Sequence, residues 1–308
     1  MTSRWTETVD DEVAVSFVIP MYNEAEIARE AVERVLKVGA EWGRTFEVLA
    51  VDDGSSDGTP EVLKQLKSTE KNFRWIQLRP NCGQPASSKA GMLSARGRMV
   101  VVLDADLQTP PEFVPELVDA LDRAGPEVVA VFGVTSTTKR DDPLRLLIGQ
   151  AVFYFLETRL GRVSISHGAS SFFVMRRSTA RQIGRLAFTK GNVGAIMAAL
   201  GMGMETVSYV KPKSYRDESR LGLKGHVEEA LGSLALTGVL SRFGWTAAGF
   251  SAYKAARGIR RSRRLALLSL GVAGISVVGV AAVESFNRRS LRISSNELPI
   301  FEGETAEA

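Results

Sequence analysis

Two pairs of aspartates carry chemistry that can be read from residue type and spacing alone. In VDDGSSDGT (residues 51–59), Asp52 and Asp53 end an apolar run and lead into a turn of Gly54, Ser55, Ser56, Asp57 and Gly58. Carboxylates at a strand end can accept hydrogen bonds from the ribose hydroxyls or base edge of a nucleotide, although the same composition also makes ordinary turns and helix caps. In MVVVLDADLQTPPE (residues 99–112), Asp104 and Asp106 flank Ala105 at the end of a buried-type run, ahead of Gln108 and a Pro-capped helix. Alternation along an extended chain points both carboxylates to one side. Two hard oxygen donors suit Mg²⁺ or Mn²⁺. Because Mg²⁺ prefers one or two carboxylates completed by phosphate oxygens and water, this pair reads as a metal bridge to a nucleotide diphosphate. The ion would neutralise charge on the leaving diphosphate.

Such residues need a scaffold that delivers them to one place. From residue 13 to about 210, short apolar and β-branched runs alternate with helical patterns, as in a parallel sheet covered by crossover helices. The runs predict strands at 13–19, 46–51, 73–78, 99–103 and 128–132, with helices near 25–42, 59–66, 85–95 and 111–124. Strand followed by helix, repeated, is an α/β domain with a mostly parallel, Rossmann-like sheet. Ligands of such sheets bind beyond the carboxyl ends of the strands, which is where both aspartate pairs fall. The chain contains neither G-x-x-x-x-G-K-[ST] nor G-x-G-x-x-G, which argues against an ATPase and against a dinucleotide oxidoreductase.

The 308 residues suggest roughly two units at about 150 residues each. With 44% hydrophobic and 24% charged residues the average chain is globular. Its 39 Lys and Arg against 35 Asp and Glu leave a net charge of only +4, too little to imply a nucleic-acid partner. The single cysteine, Cys82, excludes an internal disulfide, and two histidines, His167 and His226, argue against a Cys/His zinc site. The first segment, MTSRWTETVDDE, has no apolar stretch, so the catalytic part is expected in the cytoplasm.

After about residue 225 the pattern changes. Residues 230–241 and 243–253 are uncharged stretches separated by Arg242, suited to a membrane interface or a broken hairpin. Residues 254–264 then carry six basic side chains and no acid, a composition that fits anionic lipid headgroups or a solvated linker. Residues 265–283 (LALLSLGVAGISVVGVAAV) contain no charge over 19 positions and read as one transmembrane helix, followed by Arg288, Arg289 and Arg292. The expected organisation is a catalytic domain over 1–225, interfacial and transmembrane helices over 226–290, and a flexible tail over 291–308.

VIPMYNE (18–24), VDDGSSDGT (51–59), RPNCGQPASSKAG (79–91) and LDADLQTPPE (103–112), in this order, resemble the motifs of family 2 glycosyltransferases with a GT-A fold. Within that family the chain is most similar to polyisoprenyl-phosphate glycosyltransferases of the dolichyl-phosphate mannose synthase type, over about residues 13–225. The resemblance implies that Pro20, Tyr22, Asn23 and Glu24 line the nucleotide pocket with Asp52 and Asp53. Gln84 and Lys89 would lie near the diphosphate-sugar, Asp104, Ala105 and Asp106 at the nucleotide and divalent metal, and Gln108 beside the sugar. In KSYRDESRLGLK, Arg216 and Ser219 match in outline a phosphate-binding segment, and a guanidinium fork is apt for phosphate. The implied catalytic set is Asp104, Asp106 and Arg216. The implied partners are a UDP- or GDP-sugar donor, a polyprenyl phosphate acceptor such as undecaprenyl or dolichyl phosphate, and membrane lipids.

One departure bears on the acceptor. Relatives often carry an acid in a strand that here reads SHGASSFFVMRR, with Ser170 and Ser171 in its place. A hydroxyl acceptor needs a general base, whereas a phosphate monoester is largely dianionic at neutral pH and does not. The serines therefore favour a lipid phosphate, with Asp104, Asp106 or Asp141 as other candidate bases and His167 read as structural. The competing expectations are a transferase of the same fold with a hydroxyl acceptor, and a sugar-nucleotide-binding membrane protein without catalysis.

Overall fold

The structure is a computed structural model that describes residues 13–106, 108–135, 171–186 and 193–210, together with the backbone of 300–302. The five strands expected from the apolar runs form as β1 (Val15–Met21), β2 (Phe46–Asp52), β3 (Phe73–Leu78), β4 (Met99–Val102) and β5 (Val128–Thr135). Between them lie α1 (Ala28–Trp42), α2 (Thr59–Thr69), α3 (Gln84–Ser94) and, after a 3₁₀ turn at Pro111–Phe113, α4 (Val114–Arg123). In α1 the buried residues Ala28, Ala31, Val32, Val35, Val38 and Gly39 repeat at helical spacing, so the sequence period becomes the face that packs on the sheet.

Three further strands complete the sheet: β6 (Phe173–Arg176), β7 (Gly203–Tyr209) and β8 (Ile300–Glu302), with helices α5 (Arg177–Gly184) and α6 (Val193–Ala199) among the described residues. None of the three shows a long apolar run. β6 is four residues long, and β7 is an edge strand whose side chains are mostly outside the core. β8 falls within the stretch expected to be a flexible tail. It pairs antiparallel with β3, covering backbone groups that would otherwise form an open sheet edge.

The strand order is β7-β5-β6-β4-β1-β2-β3-β8. All strands run in one direction except β6 and β8, which are antiparallel to their neighbours. Alternate residues of each strand serve opposite faces. Phe17, Ile19, Val48, Ala50 and Val101 pack with α1, α2 and α4, while Val18, Leu49, Val51, Val100 and Val102 pack with α3, α5 and α6. The result is a helix–sheet–helix sandwich. The chain leaves β1 for β2 and β3 on one side and for β4 on the other, so the carboxyl ends of β1 and β4 define the switch point, the place where sheets of this kind bind their ligands.

Helix α3 lies unusually close to β1. A Cβ added at Gly91 would sit 2.1 Å from Val18 Cγ1 and 3.1 Å from Val51 Cγ2, both stiff β-branched side chains in the sheet. Gly91→Ala is therefore expected to destabilise the protein by about 1–3 kcal/mol through overpacking, read as a lower urea midpoint.

Among the described residues no helix is long and apolar enough to cross a membrane. The expected span at 265–283, and the stretches 230–253 and 254–264, lie outside the described residues.

Candidate active site

Each loop at the carboxyl edge is tied to its neighbour by side chains from the expected motifs. After β1, Asn23 takes the left-handed conformation (φ 54°), which Asn adopts more readily than most residues. Its amide donates to Ser55 Oγ at 2.8 Å and its Oδ1 accepts from the Ser56 amide at 2.9 Å. The Glu24 amide donates to Thr59 Oγ1 at 2.8 Å and the Ala25 amide to Asp57 Oδ2 at 3.1 Å. The turn after β1 and the turn after β2 are thus laced together. Pro20 sits half-buried within β1 opposite Val51, and Tyr22 projects from the edge with 44% of its surface exposed.

Asp52 and Asp53 are buried rather than open to solvent. Asp52 accepts from the Ser55 amide at 3.0 Å and from Gln77 Nε2 at 2.6 Å, bracing its own turn against β3. Asp53 accepts from the Cys82 and Gly83 amides at 2.8 and 2.7 Å, pinning the loop that runs from β3 into α3. Burial pushes the Asp53 carboxyl above the ordinary carboxylate value, against the hydrogen bonds from Cys82, Gly83 and Ser87, and the neighbouring Asp52 charge pushes the same way. Gly54 makes the close approach possible: its φ is +70°, and a Cβ there would lie 3.0 Å from both the Asn81 amide nitrogen and the Leu78 carbonyl oxygen.

The second pair stands at the end of β4. Ala105 is buried, while Asp104 and Asp106 on either side are partly exposed. Gln84 Nε2, from the first residue of α3, donates to Asp104 Oδ1 at 3.0 Å, and the Asp104 amide donates to Thr109 Oγ1 at 3.2 Å. Asp106 Oδ1 accepts from the Gln108 amide at 3.0 Å, the pattern of an Asx turn. Ser171, just before β6, donates its hydroxyl to Asp104 Oδ2. It reaches Asp104 because β6 runs antiparallel beside β4, so the start of one lies at the end of the other.

The structure therefore brings Gln84, Asp104, Asp106 and Gln108 together and adds Thr109 and Ser171. Their common signal is position, since all flank the carboxyl end of β4. Arg216, Ser219, Asp141, His167 and Ser170 lie outside the described residues. Among the described residues no group of three or more His, Cys, Asp or Glu could hold a metal by itself. Asp104 and Asp106 nevertheless fit a divalent ion that takes its other ligands from phosphate and water, because a carboxylate that accepts from neutral donors keeps further lone pairs available.

Lys89 is buried in α3 at 5% exposure, and desolvation lowers its pKa from the ordinary value of 10.5. The unfolded chain therefore binds that proton more tightly than the folded one, a cost that disappears as pH rises from the folded pKa toward 10.5. Relative to Lys89→Met, the native protein is expected to gain stability as pH is raised from neutrality toward about 10.5, measured as the difference in urea midpoint.

The model of the family described as Glycosyl transferase family 2 matches residues 16–184, more than half of the chain. The chain belongs to glycosyl transferase family 2. An undecaprenyl-phosphate 4-deoxy-4-formamido-L-arabinose transferase of Pectobacterium carotovorum subsp. carotovorum (strain PC1) is 36% identical over 161 residues, 52% of this chain and 48% of that protein. An uncharacterized glycosyltransferase of Bacillus subtilis (strain 168), YkcC, is 28% identical over 212 residues, 69% of this chain and 64% of its own. This family 2 chain thus spans about half the length of the curated arabinose transferase relatives it matches. Among solved structures, glucosyl-3-phosphoglycerate synthase from Mycobacterium tuberculosis, in complex with Mn²⁺, UDP and phosphoglyceric acid, aligns with a TM-score of 0.53 at 19% identity, covering 75% of this chain and 81% of that one. The shared fold is the GT-A α/β sandwich with a mostly parallel sheet.

Proposed function

We propose that this protein is a membrane-attached inverting glycosyltransferase that moves a sugar from a UDP- or GDP-sugar to polyprenyl phosphate at the cytoplasmic face. The observation that carries the acceptor is Ser171. Where an acid would serve as base for a hydroxyl, a serine hydroxyl instead donates to Asp104. A phosphate oxygen needs no base, because the group is already ionised at neutral pH. The likeness to undecaprenyl-phosphate transferases over half the chain supports the same acceptor.

Asp104 and Asp106 would hold Mg²⁺ or Mn²⁺, which when bound supplies charge neutralisation at the diphosphate. Asp52, Asp53 and Asn23 keep the turns after β1 and β2 and the loop after β3 in place as the walls of a nucleotide pocket, with Pro20, Tyr22 and Glu24 along its rim. Gln84 orients Asp104, Lys89 supplies positive charge within α3 beside the diphosphate, and Gln108 stands at the sugar. A lipid phosphate oxygen forms the new bond to the anomeric carbon as the bond to the diphosphate breaks, its electron pair leaving on the nucleoside diphosphate. Arg216 and Ser219 hold the acceptor phosphate. The basic stretch 254–264 and the apolar stretch 265–283 keep the isoprenoid acceptor close to this edge.

Membranes holding the protein, incubated with undecaprenyl phosphate, Mg²⁺ or Mn²⁺ and a panel of labelled nucleotide sugars, test this reading. Label should enter the organic extract and be lost on mild acid, as expected of a glycosyl phosphate. Acid-stable label on a hydroxyl acceptor, with none on the lipid phosphate, would overturn it.

A further inference from the structure

The edge of the sheet opposite Asp104 holds a second concentration of charge. A cleft of about 580 Å³ opens there, and its lining includes Arg44, Arg98, Arg176, Arg177, Arg181 and Asp122. The arginines come from separate parts of the chain. Arg44 precedes β2, Arg98 precedes β4, Arg176 ends β6, and Arg177 and Arg181 belong to α5. The Arg177 amide donates to the Arg98 carbonyl at 2.9 Å, which holds the start of α5 against the start of β4.

Charge in this cleft is poorly balanced. Arg44 is held by Asp119 at 3.2 Å and Asp122 at 2.9 Å. Arg177 Nη1 donates to the Arg96 carbonyl at 2.6 Å and Arg176 Nη2 to the Leu121 carbonyl at 3.5 Å, acceptors that carry no formal charge. Among the described residues the lining thus gathers five guanidinium groups, of which Arg44 is matched by Asp119 and Asp122 while Arg98, Arg176 and Arg177 face no carboxylate. Helix α5 adds to the excess. It begins without a side-chain cap and with no acid in its first turn, and instead carries arginine against the positive end of its own dipole. An arrangement that opposes local stability is expected where a ligand compensates it. The compensating group is an oxyanion, since guanidinium forks match phosphate oxygens in pairs.

We propose that this cleft binds a soluble small molecule bearing a phosphate or diphosphate group, at a site separate from the nucleotide pocket. Its volume lies in the range of about 300–1,000 Å³ typical of small-molecule sites, larger than a lone phosphate needs. Phosphate chemistry could also come from a lipid headgroup. The cleft, however, lies at the other end of β4, about 16 Å along the strand from Asp104, so a bilayer docked here would hold lipid away from the reacting edge.

The test is calorimetric titration of inorganic pyrophosphate into the full-length protein in EDTA, where no metal recruits it to the aspartates. One molar equivalent should bind. Arg98→Ser, which alters an exposed side chain, should weaken binding, and Arg98→Ser/Arg181→Ser should weaken it at least about tenfold, while Asp104→Asn/Asp106→Asn leaves it unchanged. Absence of binding, binding that survives the double arginine variant, or binding lost in the aspartate variant would each overturn the proposal. Flotation with phosphatidylglycerol and phosphatidylcholine vesicles separates the sources. Arginine-dependent capture by phosphatidylglycerol vesicles without pyrophosphate binding would assign the cleft to headgroups and also overturn the soluble ligand.

Discussion

Asp104→Asn/Asp106→Asn protein is expected to lose sugar transfer by at least about 1000-fold, the scale on which electrostatic stabilisation of a leaving group acts. The pair sits partly exposed at the end of β4 with the buried Ala105 between. Asparagine keeps the shape and the hydrogen bonds that an amide oxygen can accept, so the fold should survive while affinity for a divalent cation falls. Two readings separate these effects. Thermal stabilisation by UDP or GDP should require Mn²⁺ in the native protein and vanish in the variant, whereas the melting temperature without ligand should stay close to native. Ser171→Ala offers a graded comparison. It removes one hydrogen bond to a charged group, an effect of roughly tenfold in kcat/KM, because Asp104 would lose one of the donors that orient it while keeping Gln84. Full activity in the double aspartate variant would sink the metal assignment and the proposed chemistry with it.

The largest effect on stability is expected at Glu47, far from the candidate active site. Its carboxylate accepts from Ser16 Oγ at 2.5 Å, the Arg96 amide at 2.7 Å and Arg74 Nη1 at 2.9 Å. Ser16 Oγ in turn accepts from the Gly97 amide at 2.7 Å. One buried acid thus joins the amino ends of β1, β2 and β3 to the loop that enters β4. Glu47→Ala removes the carboxylate faced by the Arg74 charge and strands the Arg96 amide. The expected cost is about 3–5 kcal/mol, or a fall of roughly 10 °C in melting temperature. Glu47→Gln, which retains an acceptor oxygen, should cost less. Because Glu47 lies about 16 Å along β2 from Asp52, nucleotide affinity of the folded fraction should not change. A native-like urea midpoint for Glu47→Ala would show that the network contributes little.

Much of the fold was legible because its period is local. Buried parallel strands must be continuous apolar runs and covering helices must carry a stripe, so β1 to β5 and α1 to α4 stand within a few residues of where the runs place them. β6, β7 and β8 were not legible in that way. A four-residue strand, a largely solvent-facing edge strand and a three-residue edge strand leave no periodic trace, and their pairing partners are distant in sequence.

The aspartate motifs show the same division. Residue type and strand-end position alone marked Asp52, Asp53, Asp104 and Asp106 as the residues around which chemistry should gather. Their division of labour was decided by the tertiary structure. Asp52 and Asp53 face inward onto the amides of Ser55, Cys82 and Gly83 and the side chain of Gln77, so they brace the loops around them, while Asp104 and Asp106 remain partly open. A carboxylate's surroundings depend on which loops fold against it, and those loops arrive from other strands. Ser171 meets Asp104 across 67 residues only because β6 returns antiparallel beside β4, and the arginine cleft gathers Arg44, Arg98 and Arg181 only because the amino ends of β2 and β4 meet the start of α5. Local periodicity determines elements and the ends at which they present chemistry; which side chains then face one another is set by strand order, a long-range choice that no short window of sequence contains.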